Sequence, residues 1–239
     1  IYLLNAQRGP LADPRLRAAL NGALDRDAMV ANVRGGAGRP LHGIMPGVSL
    51  GAQDVAPLAQ DIETARRLIV EAGHGEGLTL TLDCPTSLPD EAISLTQELG
   101  RQLAPLGVAL DVTYHDDREA YAHMVRRKEI GDLCVFDSSP LSTFRVLFEK
   151  IDSRTAGSWW QGYCNPEVEA RLDAARGEVN TAAREAIYAE ILAILQSDPP
   201  WLTLYTPLQA VALAGDHPGC SMPLDGVLDV TQLPPFDDG

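Results

Sequence analysis

An α/β fold, with a mixed, mostly parallel sheet flanked by helices, is what this sequence predicts, and three observations predict it. Leu78, Leu80 and Leu82 alternate with Thr79 and Thr81, and Val108, Leu110, Val112 and Tyr114 alternate again, which is the period-2 pattern of half-buried strands. Leu133-Cys134-Val135-Phe136 is a short apolar run of the kind that buried strands show. Helical periodicities over 89–103 and near 117–128 fall between these strands. The resulting alternation of strand and helix suits the crossover connections of a parallel sheet.

The remaining elements follow in order. Residues 1–7 alternate weakly and read as a short strand. Asp13 is a good N-cap, and Pro14 fits the first helical position. Leu16, Leu20 and Leu24, with Ala19 and Ala23, then form one apolar helix face. Asp25 caps a second short helix that carries Met29, Val30 and Val33, and Gly35 and Gly36 stop it. Residues 36–60, broken by Pro40, Pro46 and Pro57 and by Gly38, Gly43, Gly47 and Gly51, read as a long irregular connection, and such loops commonly lie over another surface. Asp61 caps a helix with Ala65, Leu68, Ile69 and Ala72 inward and Gly73 as its stop. After residue 140 an irregular aromatic stretch precedes helices near 166–176 and 181–197 and strands near 201–206 and 209–214. Residues 216–239 are rich in Pro, Gly and Asp and show no periodicity.

A chain of 239 residues can bury a full core. Its 33 acidic against 19 basic residues give a net charge of −14, which argues against nucleic acid and anionic membrane surfaces as partners. No apolar run reaches the roughly 18 residues of a membrane span, and no secretory signal is visible. Ile1 stands inside an apolar run rather than after a Met, so the chain reads as cut from something longer. Cys84, Cys134, Cys164 and Cys220 lie far apart without a C-x-x-C, so either free buried thiols or a disulfide is open.

Gly47-Val48-Ser49-Leu50-Gly51 matches the nucleophile-elbow pattern G-x-S-x-G, but Pro46 precedes it and loop residues follow, where the elbow needs a strand before the serine and a helix after it. Arg34-Gly35-Gly36-Ala37-Gly38 is glycine-rich but follows a helix C-terminus, where the dipole repels phosphate. The five histidines form no metal-binding pair, and His115-Asp116-Asp117 reads as a solvated strand end. Neither a cofactor nor a metal is indicated. Arg126-Arg127-Lys128 reads as a solvated helix face. Trp159, Trp160 and Tyr163 stand together in an irregular segment and suit either a packed loop or the wall of a ligand pocket. Asp137 directly follows an apolar strand and precedes Ser138-Ser139-Pro140. At a strand's carboxyl end it suits a ligand cation or, alternatively, an Asx-turn or helix cap.

Several segments together resemble one family. The run Pro14–Arg26, the loop Ile44-Met45-Pro46-Gly47, the helix Ala65–Gly73, the turn Tyr163-Cys164-Asn165-Pro166 and the stretch from Arg184 through Asp198-Pro199-Pro200-Trp201 to Tyr205 are similar, in order and spacing, to the peptide/nickel class of bacterial periplasmic solute-binding proteins. The resemblance implies a periplasmic-binding-protein-like (type II) lobe over residues 1–215, with 216–239 leading back toward a missing N-terminal lobe. It also implies a periplasmic receptor rather than an enzyme, which hands peptides or similar small solutes to an ABC-transporter permease. In peptide-binding members an Asp after a strand holds the ligand ammonium, and Asp137 falls at that position. Ser138, Ser139, Phe144, Trp159, Trp160 and Tyr163 complete the candidate site. The family often has Trp before that Asp and Tyr after it, whereas here Phe136 precedes and Ser138 follows. The competing readings are an α/β hydrolase using Ser49 and a regulator's sensor domain built on the same fold.

Overall fold

Alternation along three strands sorts side chains onto two cores. The computed structural model describes residues 1–53, 55–87, 89–137, 142–208 and 210. Strand β1 (Tyr2–Leu4), β5 (Leu133–Val135) and β6 (Trp201–Leu202) are buried on both faces. Tyr2, Leu4, Leu133, Val135 and Leu202 join one apolar cluster, while Leu3, Cys134 and Trp201 join the other. A one-residue slip of register would exchange the two sets, so the pairing is strongly specified.

The sheet order is β4-β3-β5-β1-β6, with β3 at Leu78–Pro85 and β4 at Val108–His115. Strand β3 pairs in parallel with both β4 and β5, and β1 pairs antiparallel with β5 and β6. Four strands therefore run one way and β1 alone runs against them. Strand β3 shows the predicted alternation, with Leu78, Leu80, Leu82 and Cys84 inward. Strand β4 is the edge, where only Val108 is fully buried and Tyr114 is half exposed.

Helix α1 (Pro14–Gly22) is capped by Asp13, whose carboxylate accepts from Arg15 N at 2.9 Å. Helix α2 (Arg26–Arg34) is capped by Asp25 through Ala28 N at 2.8 Å and ends at Gly35 with φ of 57°, a left-handed turn that glycine adopts without strain. Helix α3 (Ile62–Glu71) is capped by Asp61 through Thr64 N at 2.9 Å. Each such cap contributes about 1 kcal/mol. Helix α4 (Ala92–Leu103) connects β3 to β4 and packs Leu95, Leu99 and Leu103 into the first cluster. Helix α5 (Arg118–Arg126) connects β4 to β5 and packs Tyr121 and Val125 into the second. The two crossover helices thus cover opposite faces, as two right-handed crossovers in opposite directions must.

Helix α6 (Thr143–Val146) runs into a wider turn at Leu147–Ile151. Helices α7 (Pro166–Gly177) and α8 (Thr181–Ser197) pack on each other and seal the second cluster.

The stretch 36–60 is not irregular throughout. Gly38–Pro40 forms β2, which pairs antiparallel with β7 (Tyr205–Pro207) as a separate two-stranded ribbon. Further along, the stretch also contacts α8. Gln196 Nε2 donates to the carbonyls of His42 and Ala56 at 3.1 and 2.9 Å, and Ile44 and Met45 are buried. The strand expected at 209–214 and the tail 216–239 lie, Ala210 apart, outside the described residues, as does Cys220. Cys84 and Cys134 are buried free thiols, and Cys164 is an exposed one.

Candidate functional site

The order β4-β3-β5 means that the chain leaves β3 in one direction for β4 and then returns past β3 to form β5. Strand order reverses between β3 and β5, and in open α/β sheets ligands occupy the crevice outside the carboxyl ends at such a point. Asp137 stands two residues beyond the end of β5, at this crevice. Its side chain is 65% exposed, and Arg118 Nη2 approaches its Oδ1 at 3.8 Å.

A groove of about 340 Å³ opens here, bounded by Arg118, Ala122 and Arg126 of α5 with Phe136, Lys150 and Trp159. Residues 118, 122 and 126 share a helix face at i, i+4 spacing. Phe136 and Trp159 pack ring to ring, with centroids 4.3 Å apart and planes tilted by 37°. Arg118 stands 5.4 Å over Phe136, and Arg126 stands 5.3 Å over Trp159. Burial lowers the pKa of Lys150, while the Asp137 carboxylate acts in the opposite sense.

The candidate residues divide. Asp137 and Trp159 line the groove together. Ser138 and Ser139 lie outside the described residues. Phe144 stacks on Phe148 with centroids 5.5 Å apart and packs against the second cluster. Trp160 Nε1 donates to the Tyr163 carbonyl at 2.6 Å. Tyr163 itself is 2% exposed, with the Arg17 guanidinium 5.8 Å over its ring. Trp160 and Tyr163 therefore anchor the loop, and Trp159 is its one aromatic at the groove.

The basic triplet also divides. Lys128, at φ of 64°, donates through Nζ to the carbonyls of Gly157 and Ser158 at 2.6 and 2.8 Å and so fixes the loop carrying Trp159. Arg127 pairs with Glu129, and Arg126 faces the groove. Reading the triplet as a solvated face missed Lys128 and Arg126. The usable signal was the 118–122–126 spacing beside the inward Tyr121 and Val125.

His115 is held by Asp83, with Nε2 and Oδ1 at 2.8 Å, and no cluster suited to a metal occurs among the described residues. Ser49 sits in turns, its backbone N donating to Pro46 O at 2.8 Å. No strand enters this segment and no helix leaves it, so the elbow geometry is absent.

A family model described as bacterial extracellular solute-binding proteins, family 5 Middle, matches residues 1–139, which is more than half of the chain. The chain belongs to this family of solute-binding proteins. Curated relatives include the glutathione-binding protein GsiB of Pectobacterium atrosepticum, 27% identical over 213 residues that cover 85% of this chain and 41% of that protein. GsiB of Salmonella typhimurium is 28% identical, with 84% and 41% covered. The chain thus spans about two fifths of the length of the curated relatives it matches. Among solved structures, HbpA2 from Haemophilus parasuis aligns with a TM-score of 0.77 at 20% identity, covering 86% of this chain and 42% of that one. DppA from Helicobacter pylori, in complex with the peptide STSA, aligns at 0.76 and 19%, covering 86% and 41%. At these identities the structural likeness speaks for the fold, which is that of periplasmic binding proteins. Neither competing reading, the hydrolase or the regulator's sensor, is favoured by these relationships.

Proposed function

We propose that this chain is one ligand-binding lobe of a receptor that captures peptides or similar small solutes for a bacterial ABC importer. Residues 1–215 form the lobe, 216–239 lead back toward a second lobe of the same polypeptide, and the solute closes the cleft between them. The groove at the β3/β5 reversal carries this reading, because it places an exposed carboxylate, two packed aromatic rings and cationic side chains where α/β sheets take ligands. The glutathione-binding relatives and the peptide held by a structural neighbour support the solute class.

In this reading Asp137 pairs with the solute ammonium, and Trp159 and Phe136 form the apolar wall. Ser138, Ser139 and Phe144 stand nearby in sequence as further ligand contacts. Binding works by population shift, because a solute that touches both lobes favours the closed state over the open one. The receptor then presents the closed form to the membrane permease, outside the cytoplasmic membrane.

Native mass spectrometry of the full-length protein, purified from its host, tests the reading by identifying what is released on denaturation. A bound peptide or peptide-like solute is the expected result. A released nucleotide, metal or lipid would overturn it.

A further inference from the structure

The groove has the opposite charge to the molecule around it. The chain carries 33 acidic and 19 basic residues, yet the described groove lining holds Arg118, Arg126 and Lys150 against the single carboxylate of Asp137. Two of these cations are not used up by the fold. Arg126 makes no ion pair among the described residues, and its guanidinium rests on the Trp159 ring. Arg118 reaches Asp137 only at 3.8 Å, and its Nε–H is buried without an acceptor among the described residues. A guanidinium held over an aromatic face keeps its N–H fork free for a planar oxyanion and is oriented in advance.

We infer that this groove selects solutes of net negative charge that bear two acid groups, one taken by Arg118 and the other by Arg126. The inference rests on the receptor reading above and narrows its solute class. The two arginines lie eight residues apart on one face of α5, about 12 Å along the helix. An extended tripeptide spans about 10 Å, so two carboxylates of one acidic tripeptide can reach both guanidiniums. Asp137, beside Arg118, places the solute ammonium at that same end of the groove. A cationic groove in an acidic molecule also concentrates anions at its mouth while the surrounding surface repels them, which sharpens selection during encounter.

The test is calorimetry on the full-length protein with three tripeptides that share a free ammonium, namely Ala-Glu-Glu, Ala-Ala-Ala and Ala-Lys-Lys, and with citrate as a polyacid that is not a peptide. The expected result is Ala-Glu-Glu bound at least about tenfold more tightly than Ala-Ala-Ala, with Ala-Lys-Lys weakest. Arg126→Gln should reduce that preference to about threefold or less. Equal binding of the acidic and neutral peptides, or an acidic preference that survives Arg126→Gln, overturns the inference while the receptor reading stands. If no peptide binds but citrate does, and Arg126→Gln abolishes it, the acid selectivity holds and the peptide reading fails. Binding of none of the four overturns both.

Discussion

Arg17 of α1 and Asp198 at the end of α8 form a largely buried ion pair, although 181 positions separate them in the chain. The same guanidinium donates to the carbonyls of Leu11, Ala12 and Pro199, at 2.8, 3.1 and 3.1 Å. The other oxygen of Asp198 accepts from Asn165, the residue that caps α7. One arginine therefore joins the start of the chain to the α7–α8 pair. Arg17→Met should cost about 3–5 kcal/mol, because it strands a partly buried carboxylate and three carbonyls. Urea unfolding measures this. A loss below about 1 kcal/mol would mean that solvent replaces the arginine without strain.

Arg154 should contribute to acid sensitivity. Its guanidinium bonds to Asp152 at 2.9 Å and to Asp173 at 2.7 Å, and it holds both carboxyls below the ordinary carboxylate range. A lowered folded-state pKa adds stability that is complete above the unfolded value of about 3.9 and is lost as pH falls through the folded value. Stability should therefore fall from about pH 5 downward, and Arg154→Gln should flatten that acid limb while lowering stability near neutrality. Thermal unfolding of both proteins across this range decides it. An acid limb of unchanged slope would place the titrating groups elsewhere.

Gly51 and Ser49 test the serine motif from opposite sides. Gly51 has φ of 80°, and a Cβ there would come within 2.6 Å of Tyr188 Cβ and 2.9 Å of the Glu185 carbonyl. The glycine is required by close approach to α8. Gly51→Ala should cost roughly 2 kcal/mol or more, from the left-handed backbone and from overpacking. Ser49→Ala, at a half-buried turn position, should change stability by less than about 0.5 kcal/mol and remove no ester hydrolysis. Serine-dependent hydrolysis would revive the elbow.

Local chemistry made the helices legible, and long-range pairing hid the rest. Asp13, Asp25 and Asp61 each accept from a backbone N–H two or three residues ahead, so the sequence around them is sufficient to place the cap. Strand β2 reads Gly-Arg-Pro, which has no strand preference of its own, and it exists because Tyr205–Pro207 lies beside it. The antiparallel placement of β1 between β5 and β6 is likewise decided by partners far along the chain. At the site, Asp137 was visible because it stands just beyond an apolar strand. Arg118 and Arg126 were not, because a helix face gains meaning only when the sheet fixes what it looks onto.

Asp137 separates a binding role from a structural one. Its side chain is 65% exposed and its contact with Arg118 is long, so a ligand ammonium can compete for the carboxylate at small cost. In the full-length protein Asp137→Ala should leave the unfolding midpoint nearly unchanged. The same substitution should weaken an ammonium-bearing solute by about 2–5 kcal/mol once the closed cleft excludes water from the pair. If the cleft closes between two lobes, as proposed above, the isolated 239-residue chain should fold yet bind such a solute weakly. Calorimetry on both forms distinguishes the cases. Stability lost with affinity retained would make Asp137 a turn residue. Micromolar affinity of the isolated chain would place the whole site within this lobe.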